Sequence, residues 1–250
     1  MKFFLKPIKS LNFVKIKIFN GKDFVSYFEK KLIFEIENKN FKIVKILKDN
    51  YRSSVYLIEI FDKKYIYKIP KEKNEKFWQR ILSLFRGSES YRNFISCQNI
   101  LKNGFLSPKP FLSFTKTFLG FTIYSYFIME YIDGFMPKKP DIFKVVNLLN
   151  EIHKKGFLHG DSQTTNFIIK NDKIYILDSK FNKNLFGNFG KISEFIYLEK
   201  NYIDFYKEEL TLYDKNTFYY KFCKFFDTVN IFLSKIRKKL KLKIKSFFKK

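Results

Sequence analysis

Asp161, Asn166 and Asp178 are the residues whose types and spacing could do chemistry together. The stretch His159-Gly160-Asp161-Ser162-Gln163-Thr164-Thr165-Asn166 sets a carboxylate five residues ahead of an amide, and Asp178 follows twelve residues later. Apolar runs separate these groups: Phe157-Leu158, then Phe167-Ile168-Ile169, then Ile174-Tyr175-Ile176-Leu177. The second and third runs read as a hairpin turned at Lys170-Asn171-Asp172-Lys173. Antiparallel pairing would bring Asn166, at the start of one strand, near Asp178, at the end of the other. Two oxygen ligands so placed, with a carboxylate on the preceding loop, describe a magnesium site with a catalytic base beside it. Taken singly, each residue has a plainer explanation. A lone loop Asp is a cap or is solvated, and an Asn before a strand can simply turn the chain.

The elements that must hold these groups come earlier. Residues 1–40 alternate apolar and polar positions (Phe13, Val14, Ile16, Ile18; Leu32, Phe34, Ile36) and predict short strands with a turn near Asn20-Gly21-Lys22-Asp23. Residues 41–70 predict an antiparallel meander of three strands, 41–47, 55–61 and 65–69. Polar turns separate them at Lys48 to Ser54 and at Asp62-Lys63-Lys64. The third strand carries Lys68 among apolar neighbours, and a lysine in such a run ordinarily marks a solvated face. Residues 71–104 predict helix, interrupted at Arg86-Gly87-Ser88, with Ser88 capping a second helix that ends at Gly104. Glu89 lies in its first turn, where a carboxylate suits the helix dipole. Strands follow at 111–114 and 121–130, and Tyr131 to Gly134 marks a lobe boundary. Pro140-Asp141 opens an amphipathic helix with Ile142, Val145, Val146, Leu149 and Ile152 on one face and Gly156 at its end. Beyond Gly190, residues 191–210, 216–233 and the tail 234–250 predict three helical segments.

Composition narrows the function classes. The chain has 250 residues, 46% of them hydrophobic, enough for one large domain or two small lobes with a core. Its net charge of +25 calls for an anionic partner, unless it is only a codon-driven excess of surface lysine. Cys97 and Cys223 show neither metal spacing nor an obvious pairing, which fits a reducing cytoplasm. The start, Met1 to Pro7, has too short an apolar run for a secretory signal. No stretch reaches the ~18 uninterrupted apolar residues of a spanning helix.

The order of elements resembles the protein-kinase-like superfamily over about residues 41–210. A meander with Lys68 precedes a helix with Glu89. A strand ending Met129-Glu130-Tyr131-Ile132, a helix, a His-x-Asp loop with Asn five later, and a strand-borne Asp then follow. His159-Gly160-Asp161 matches the sugar-phosphotransferase branch better than the His-Arg-Asp of protein kinases. Tyr65 to Asn74, Leu84 to Glu89 and the basic end look like the lipopolysaccharide core heptose(II) kinases. The resemblance implies an α+β, bilobal fold. An antiparallel-sheet N-lobe would span 1–132, a mainly helical C-lobe 133–233, and a basic amphipathic tail 234–250.

The resemblance also implies roles. Lys68 would hold the α- and β-phosphates of ATP, paired with Glu89, or with Glu72 or Glu75, which are nearer to it in sequence. Asp161 would accept or orient the acceptor hydroxyl, and Asn166 and Asp178 would bind Mg2+. Backbone groups of Glu130 and Ile132 would meet adenine, and His159 would brace the loop. This chain departs from the pattern at two places. No Gly-x-Gly-x-x-Gly precedes Lys68, so phosphate contacts fall to Arg52, Ser53 and Ser54, through their amides or side chains. Asp178 is followed by Ser179-Lys180 rather than Phe-Gly.

The function so implied is an ATP-dependent kinase acting on a heptose of the lipopolysaccharide inner core. It would be cytoplasmic and peripheral on the inner face of the inner membrane, with residues 234–250 against the anionic surface. A kinase of another acceptor (Kdo, an aminosugar or a protein hydroxyl) is the alternative within enzymes. A basic nucleic-acid-binding protein is the alternative of another class, but no nucleic-acid motif is visible and the basic residues are widely spread.

Overall fold

The computed structural model describes residues 14–21, 26–201 and 215–247. They divide into two units. A sheet unit comprises 1–136 and 167–180, and a helical unit comprises 137–166 and 181–250. The sequence reading placed 167–180 in the second lobe; by its packing this hairpin groups with the sheet.

The sheet unit is built on six antiparallel strands: β1 (Val14–Phe19), β2 (Lys42–Asp49), β3 (Ser54–Ile60), β4 (Lys63–Ile69), β5 (Pro110–Phe118) and β6 (Phe121–Glu130). Their order across the sheet is β1-β5-β6-β4-β3-β2. Tight turns set the registers. Phe61-Asp62 and Leu119-Gly120 are two-residue connections with positive φ throughout (51°, 58°, 48° and 87°). That conformation matches the twist of the flanking strands. The second turn thus lies at Phe61-Asp62, one residue ahead of the predicted Asp62-Lys63-Lys64.

Period-two alternation sends the strands' side chains to two cores. Ile58, Tyr65, Tyr67, Leu112, Phe114, Tyr126 and Ile128 pack with Leu32 and Ile36 of helix α1 (Tyr27–Glu37). Leu57, Ile66, Phe127 and Met129 pack with Phe94 and Cys97 of α4 (Glu89–Lys102). Lys68 is two residues from Ile66 and pairs in register with Phe127, so it belongs to the α4 face. That face is covered, which is why this lysine is not on the solvated side that a lone β-run lysine suggests.

α1 corrects the reading of 27–37 as strand. Ser26 Oγ accepts from the Glu29 backbone N–H at 3.2 Å, and the Glu29 carboxylate accepts from the Ser26 N–H at 2.8 Å. This reciprocal cap fixes a helix start that an alternating window hides. Lys22 and Asp23 of the predicted turn lie outside the described residues.

Two short helices join the sheet to α4: α2 (Lys71–Glu75) and α3 (Phe77–Arg86). Gly87 stops α3 at φ 75°, and Ser88 Oγ accepts from the Tyr91 N–H at 3.1 Å, as the sequence predicts.

In the helical unit, α5 (Ile142–Lys154) buries Ile142, Val145, Val146, Leu149 and Ile152 almost completely. Two short strands, β7 (Phe157–Leu158) and β10 (Asn182–Lys183), pair antiparallel. α6 (Asn188–Lys200) buries Ile192, Phe195, Ile196 and Leu198. Tyr202 and Phe205 lie outside the described residues. α7 runs unbroken from Phe218 to Phe247, so the expected segments 216–233 and 234–250 are one helix up to Phe247. Cys223 and Tyr220 seat it on α6. No helix among the described residues is long and apolar enough to cross a membrane.

Ser26→Ala should lower stability by about 1 kcal/mol and the melting temperature by ~2–4 °C. Thermal denaturation followed by circular dichroism reads this, and an unchanged midpoint would remove the cap from the account of α1.

Candidate active site

The predicted hairpin forms. β8 (Phe167–Lys170) pairs with β9 (Lys173–Ile176), with Phe167 opposite Ile176, turned by Asn171-Asp172 at φ 49° and 62°. Asn and Asp tolerate this left-handed turn better than most residues. Three contacts tie the hairpin to the sheet unit. Ile176 N–H donates to Leu106 O at 2.9 Å, Ser107 Oγ donates to Ile176 O at 2.9 Å, and Ser96 Oγ of α4 donates to Ser179 O. Asp178 is thereby delivered to the α4 face of the sheet. There Lys68 Nζ lies 2.6 Å from Asp178 Oδ2, with the lysine side chain 15% exposed and the aspartate 46%. The hairpin's anchorage explains a pair 110 residues apart in sequence.

The expected Lys68–Glu89 pair is replaced by this one. Glu89 pairs with Arg92, three residues on along α4. The i, i+3 spacing holds these two side chains on one helix face, whereas Asp178 reaches Lys68. Glu72, nearer to Lys68 in sequence, pairs with Lys76.

The turn at 50–53 also differs from its expected role. Asn50 Oδ1 accepts the N–H groups of Arg52 and Ser53, each at 3.0 Å. Ser54 is fully buried and donates from Oγ to Asp49 at 2.7 Å. The Arg52 guanidinium is exposed and donates to Tyr51 OH at 2.8 Å. The two amides and the Ser54 hydroxyl are thus engaged within the turn, and the Arg52 side chain is the group best placed to meet an anion. At the end of β6, the Glu130 N–H donates to Lys109 O at 2.9 Å, while Ile132 is buried. An adenine contact at Glu130 would therefore have to use its carbonyl.

The loop 159–166 belongs to the helical unit, and a residue that the sequence did not single out holds it. Glu194 of α6 is buried, and its carboxylate accepts from His153 Nε2 at 2.7 Å, His159 N at 3.0 Å and Gly160 N at 2.5 Å. Ser162 Oγ donates to the Glu194 carbonyl at 3.0 Å. Burial alone would raise the Glu194 pKa; the bonds from His153, Gly160 and His159 outweigh it and hold the carboxylate below its ordinary value. Gly160 sits at φ 80°, in the left-handed region. A side chain there would be strained, which gives a backbone reason for Gly at this point. His159 is buried, and its Nδ1 accepts the Asp161 N–H at 3.3 Å, the bracing role expected of it.

Asp161 is oriented from three sides. Its Oδ1 accepts from Tyr197 OH at 2.9 Å and Gln163 Nε2 at 3.0 Å, and its Oδ2 accepts from Asn166 Nδ2 at 3.0 Å. Asn166 Nδ2 also donates to the Asp161 carbonyl at 2.8 Å. Tyr197, which the sequence gave no reason to choose, has its phenol pKa raised by burial. Beside Asp161 opens a cavity of about 360 Å³, lined by Leu158, Gly160, Phe186, Phe189 and Tyr197 among others.

Glu194→Gln should destabilise the protein by about 3 kcal/mol, because an amide puts an NH2 donor where one of the two acceptor oxygens faces an N–H group. The pH dependence gives a second reading. The folded pKa is lowered, so the stabilisation is present above the ordinary value of 4.5 and is lost as pH falls through the folded value. Urea unfolding of the native chain should therefore weaken below about pH 4.5 more steeply than that of Glu194→Gln. Parallel curves would mean that Glu194 carries no such linkage.

A family model described as lipopolysaccharide core biosynthesis protein (WaaY) matches residues 7–237. The lipopolysaccharide core heptose(II) kinase WaaY of Escherichia coli (strain K12) is 34% identical over 150 residues, 56% of this chain and 63% of that protein. A second heptose(II) kinase WaaY of Escherichia coli is 30% identical over 160 residues, 60% of this chain and 68% of that protein. The match thus spans a little under two thirds of the first relative's length. A solved structure of WaaP in complex with acyl carrier protein aligns with a TM-score of 0.45 at 10% identity, over 68% of this chain and 75% of that one. With nearly its whole length matched by the family model, the chain belongs to the WaaY family of lipopolysaccharide core biosynthesis proteins.

Proposed function

We propose that this protein is an ATP-dependent kinase that phosphorylates a heptose of the lipopolysaccharide core. The observation that carries the reading is Asp161, clamped by Tyr197, Gln163 and Asn166 at the edge of a cavity of about 360 Å³. That volume is in the range of small-molecule sites. Its lining offers what a sugar needs: aromatic faces from Phe186 and Phe189 for the C–H surface, and a phenol and a carboxylate for hydroxyls. The heptose kinase names of the curated relatives support the same acceptor.

In this reading Asp161 orients the acceptor hydroxyl for in-line attack and takes its proton. Phosphoryl transfer is governed by positioning and charge neutralisation, so a carboxylate held by three donors is the right kind of group. Lys68 would meet the phosphates of ATP, with Arg52 and Ser53 nearby on the β2–β3 turn. The Glu130 carbonyl and the Ile132 backbone would meet adenine.

Asn166 and Asp178 would hold magnesium. Both present hard oxygen donors, and Asn166 directs its Nδ2 to Asp161, which leaves Oδ1 as the atom for a cation. Magnesium is usually held by one or two protein oxygens, with phosphates and water completing its shell. When bound, the metal neutralises phosphate charge. In the present arrangement Lys68 and Asp178 neutralise one another. Nucleotide phosphate would take the ammonium and release the carboxylate.

The protein would work peripherally at the cytoplasmic face of the inner membrane, with the basic residues from Ser234 onward near anionic lipid.

Asp161→Ala should abolish transfer of labelled γ-phosphate to core oligosaccharide, with ATP affinity changed less than about threefold. Persistent turnover would remove Asp161 from the reaction. Asp178→Asn should lose magnesium-dependent nucleotide binding, read by calorimetry with and without the metal. Parental Mg-ATP affinity in that variant would refute the metal assignment.

A further inference from the structure

Helix α3 is docked the wrong way round for an amphipathic helix of a globular domain. At 100° per residue, Phe77, Trp78, Ile81 and Phe85 share one arc, and Ser83 lies almost opposite its centre. An ordinary helix would turn that apolar arc to the core. Here Ser83 is buried, and its Oγ accepts the Thr122 N–H of β6 at 3.0 Å. Phe77, Trp78 and Phe85 are 75%, 65% and 86% exposed. The polar side binds the sheet, and the aromatic side faces out.

We propose that α3 is a membrane-contact helix that sets Phe77, Trp78 and Phe85 into the interfacial layer of an anionic lipid leaflet. Three observations select lipid as the occupant. Trp and Phe are the side chains that partition into the headgroup boundary, and a helix lying in that plane buries only one apolar side. Basic side chains stand at both ends of α3: Lys76, paired with Glu72, precedes it, and exposed Arg86 closes it. Positive charge is also crowded beside it. Lys73 and Arg86 both reach Gln79 Oε1, at 3.4 and 2.5 Å, and burial together with Arg86 and Arg92 pushes the Lys73 ammonium below its ordinary value. Lipid phosphate would relieve that crowding. An apolar face flanked by Lys73 and Arg86, which share the Gln79 amide oxygen rather than a carboxylate, suits anionic lipid better than the surface of another protein of the same charge.

The inference extends the membrane-facing part of the proposed function and can be tested apart from it. Trp78 is the chain's only tryptophan, so its fluorescence reports α3 alone. The full-length protein is titrated with vesicles of phosphatidylcholine and phosphatidylglycerol. The expected result is emission moving to shorter wavelength, quenching by brominated lipid and loss of acrylamide quenching. Phe77→Ser/Phe85→Ser changes two exposed positions and should leave the circular dichroism spectrum unchanged. It should weaken vesicle binding at least about tenfold. Protein that sediments with vesicles while Trp78 stays accessible to acrylamide would overturn the proposal, as would absence of any binding. So would a lipid-free emission shift that grows with protein concentration, which would assign the face to a second copy of the chain. Phosphoryl transfer to delipidated core oligosaccharide, measured without vesicles, tests the kinase reading separately.

Discussion

The carboxylate of Glu194 carries the heaviest constraint in the helical unit. A buried anion is costly unless donors surround it, and here His153 of α5 and two consecutive backbone amides of the loop converge on it. The amides of His159 and Gly160 can both point at Glu194 because Gly160 adopts a left-handed backbone. That geometry turns the chain so that His159 Nδ1 receives the next amide and Asp161 faces the cavity. One charged hydrogen-bond centre therefore sets the helix-to-helix spacing and the direction of the Asp161 carboxylate together. Hydrogen bonds to a charged group contribute ~1.5–3 kcal/mol each, enough to offset the desolvation that burial imposes.

What could be read from the chain follows the range of the forces involved. The hairpin at 167–176, the helix from Ile142 and the cap at Ser88 are local patterns. Apolar period, turn residues and capping chemistry were sufficient for them. Residues 27–37 were misread because Leu32, Phe34 and Ile36 alternate, although Ser26 and Glu29 already carried the capping signature. Residues 216–250 were divided where aromatic residues give way to lysine. No Gly or Pro falls between Phe218 and Phe247, so a change of composition was taken for a change of structure. Glu194 and Tyr197 were invisible for a different reason. Their partners lie 32 to 41 residues away, and nothing local distinguishes them from other residues of α6. The Lys68–Asp178 pair is longer in range still; the resemblance pointed to Glu89, and nearness in sequence to Glu72 and Glu75.

The charge of +25 acquires a more specific meaning from where apolar side chains lie. A codon-driven excess of lysine would scatter cations over an otherwise ordinary surface. Instead, α3 and α7 each expose aromatic residues alongside basic ones: Phe77, Trp78 and Phe85 on the first, and Phe218, Phe225 and Phe232 on the second. Exposed aromatic groups are a liability in water and an advantage at a headgroup boundary. Cationic neighbours keep such a surface from self-association and direct it to anions. Nucleic acid would exploit the charge, but a one-sided apolar helix offers it little that phosphate contacts require.

The hydrogen bonds of Asp161 also limit how it can serve the proposed transfer. A carboxylate has about four acceptor positions on its two oxygens. Tyr197 and Gln163 take two on Oδ1, and Asn166 takes one on Oδ2. The remaining position is on Oδ2, so that is where an acceptor hydroxyl would have to bind. A carboxylate held this rigidly, with one open position, serves to aim a hydroxyl rather than to create a free alkoxide before attack. It is well suited to a loose phosphoryl transition state, in which the nucleophile's proton is needed only late and orientation supplies most of the advantage. The clamp on Asp161 therefore argues that the residue aims the acceptor first and accepts its proton second.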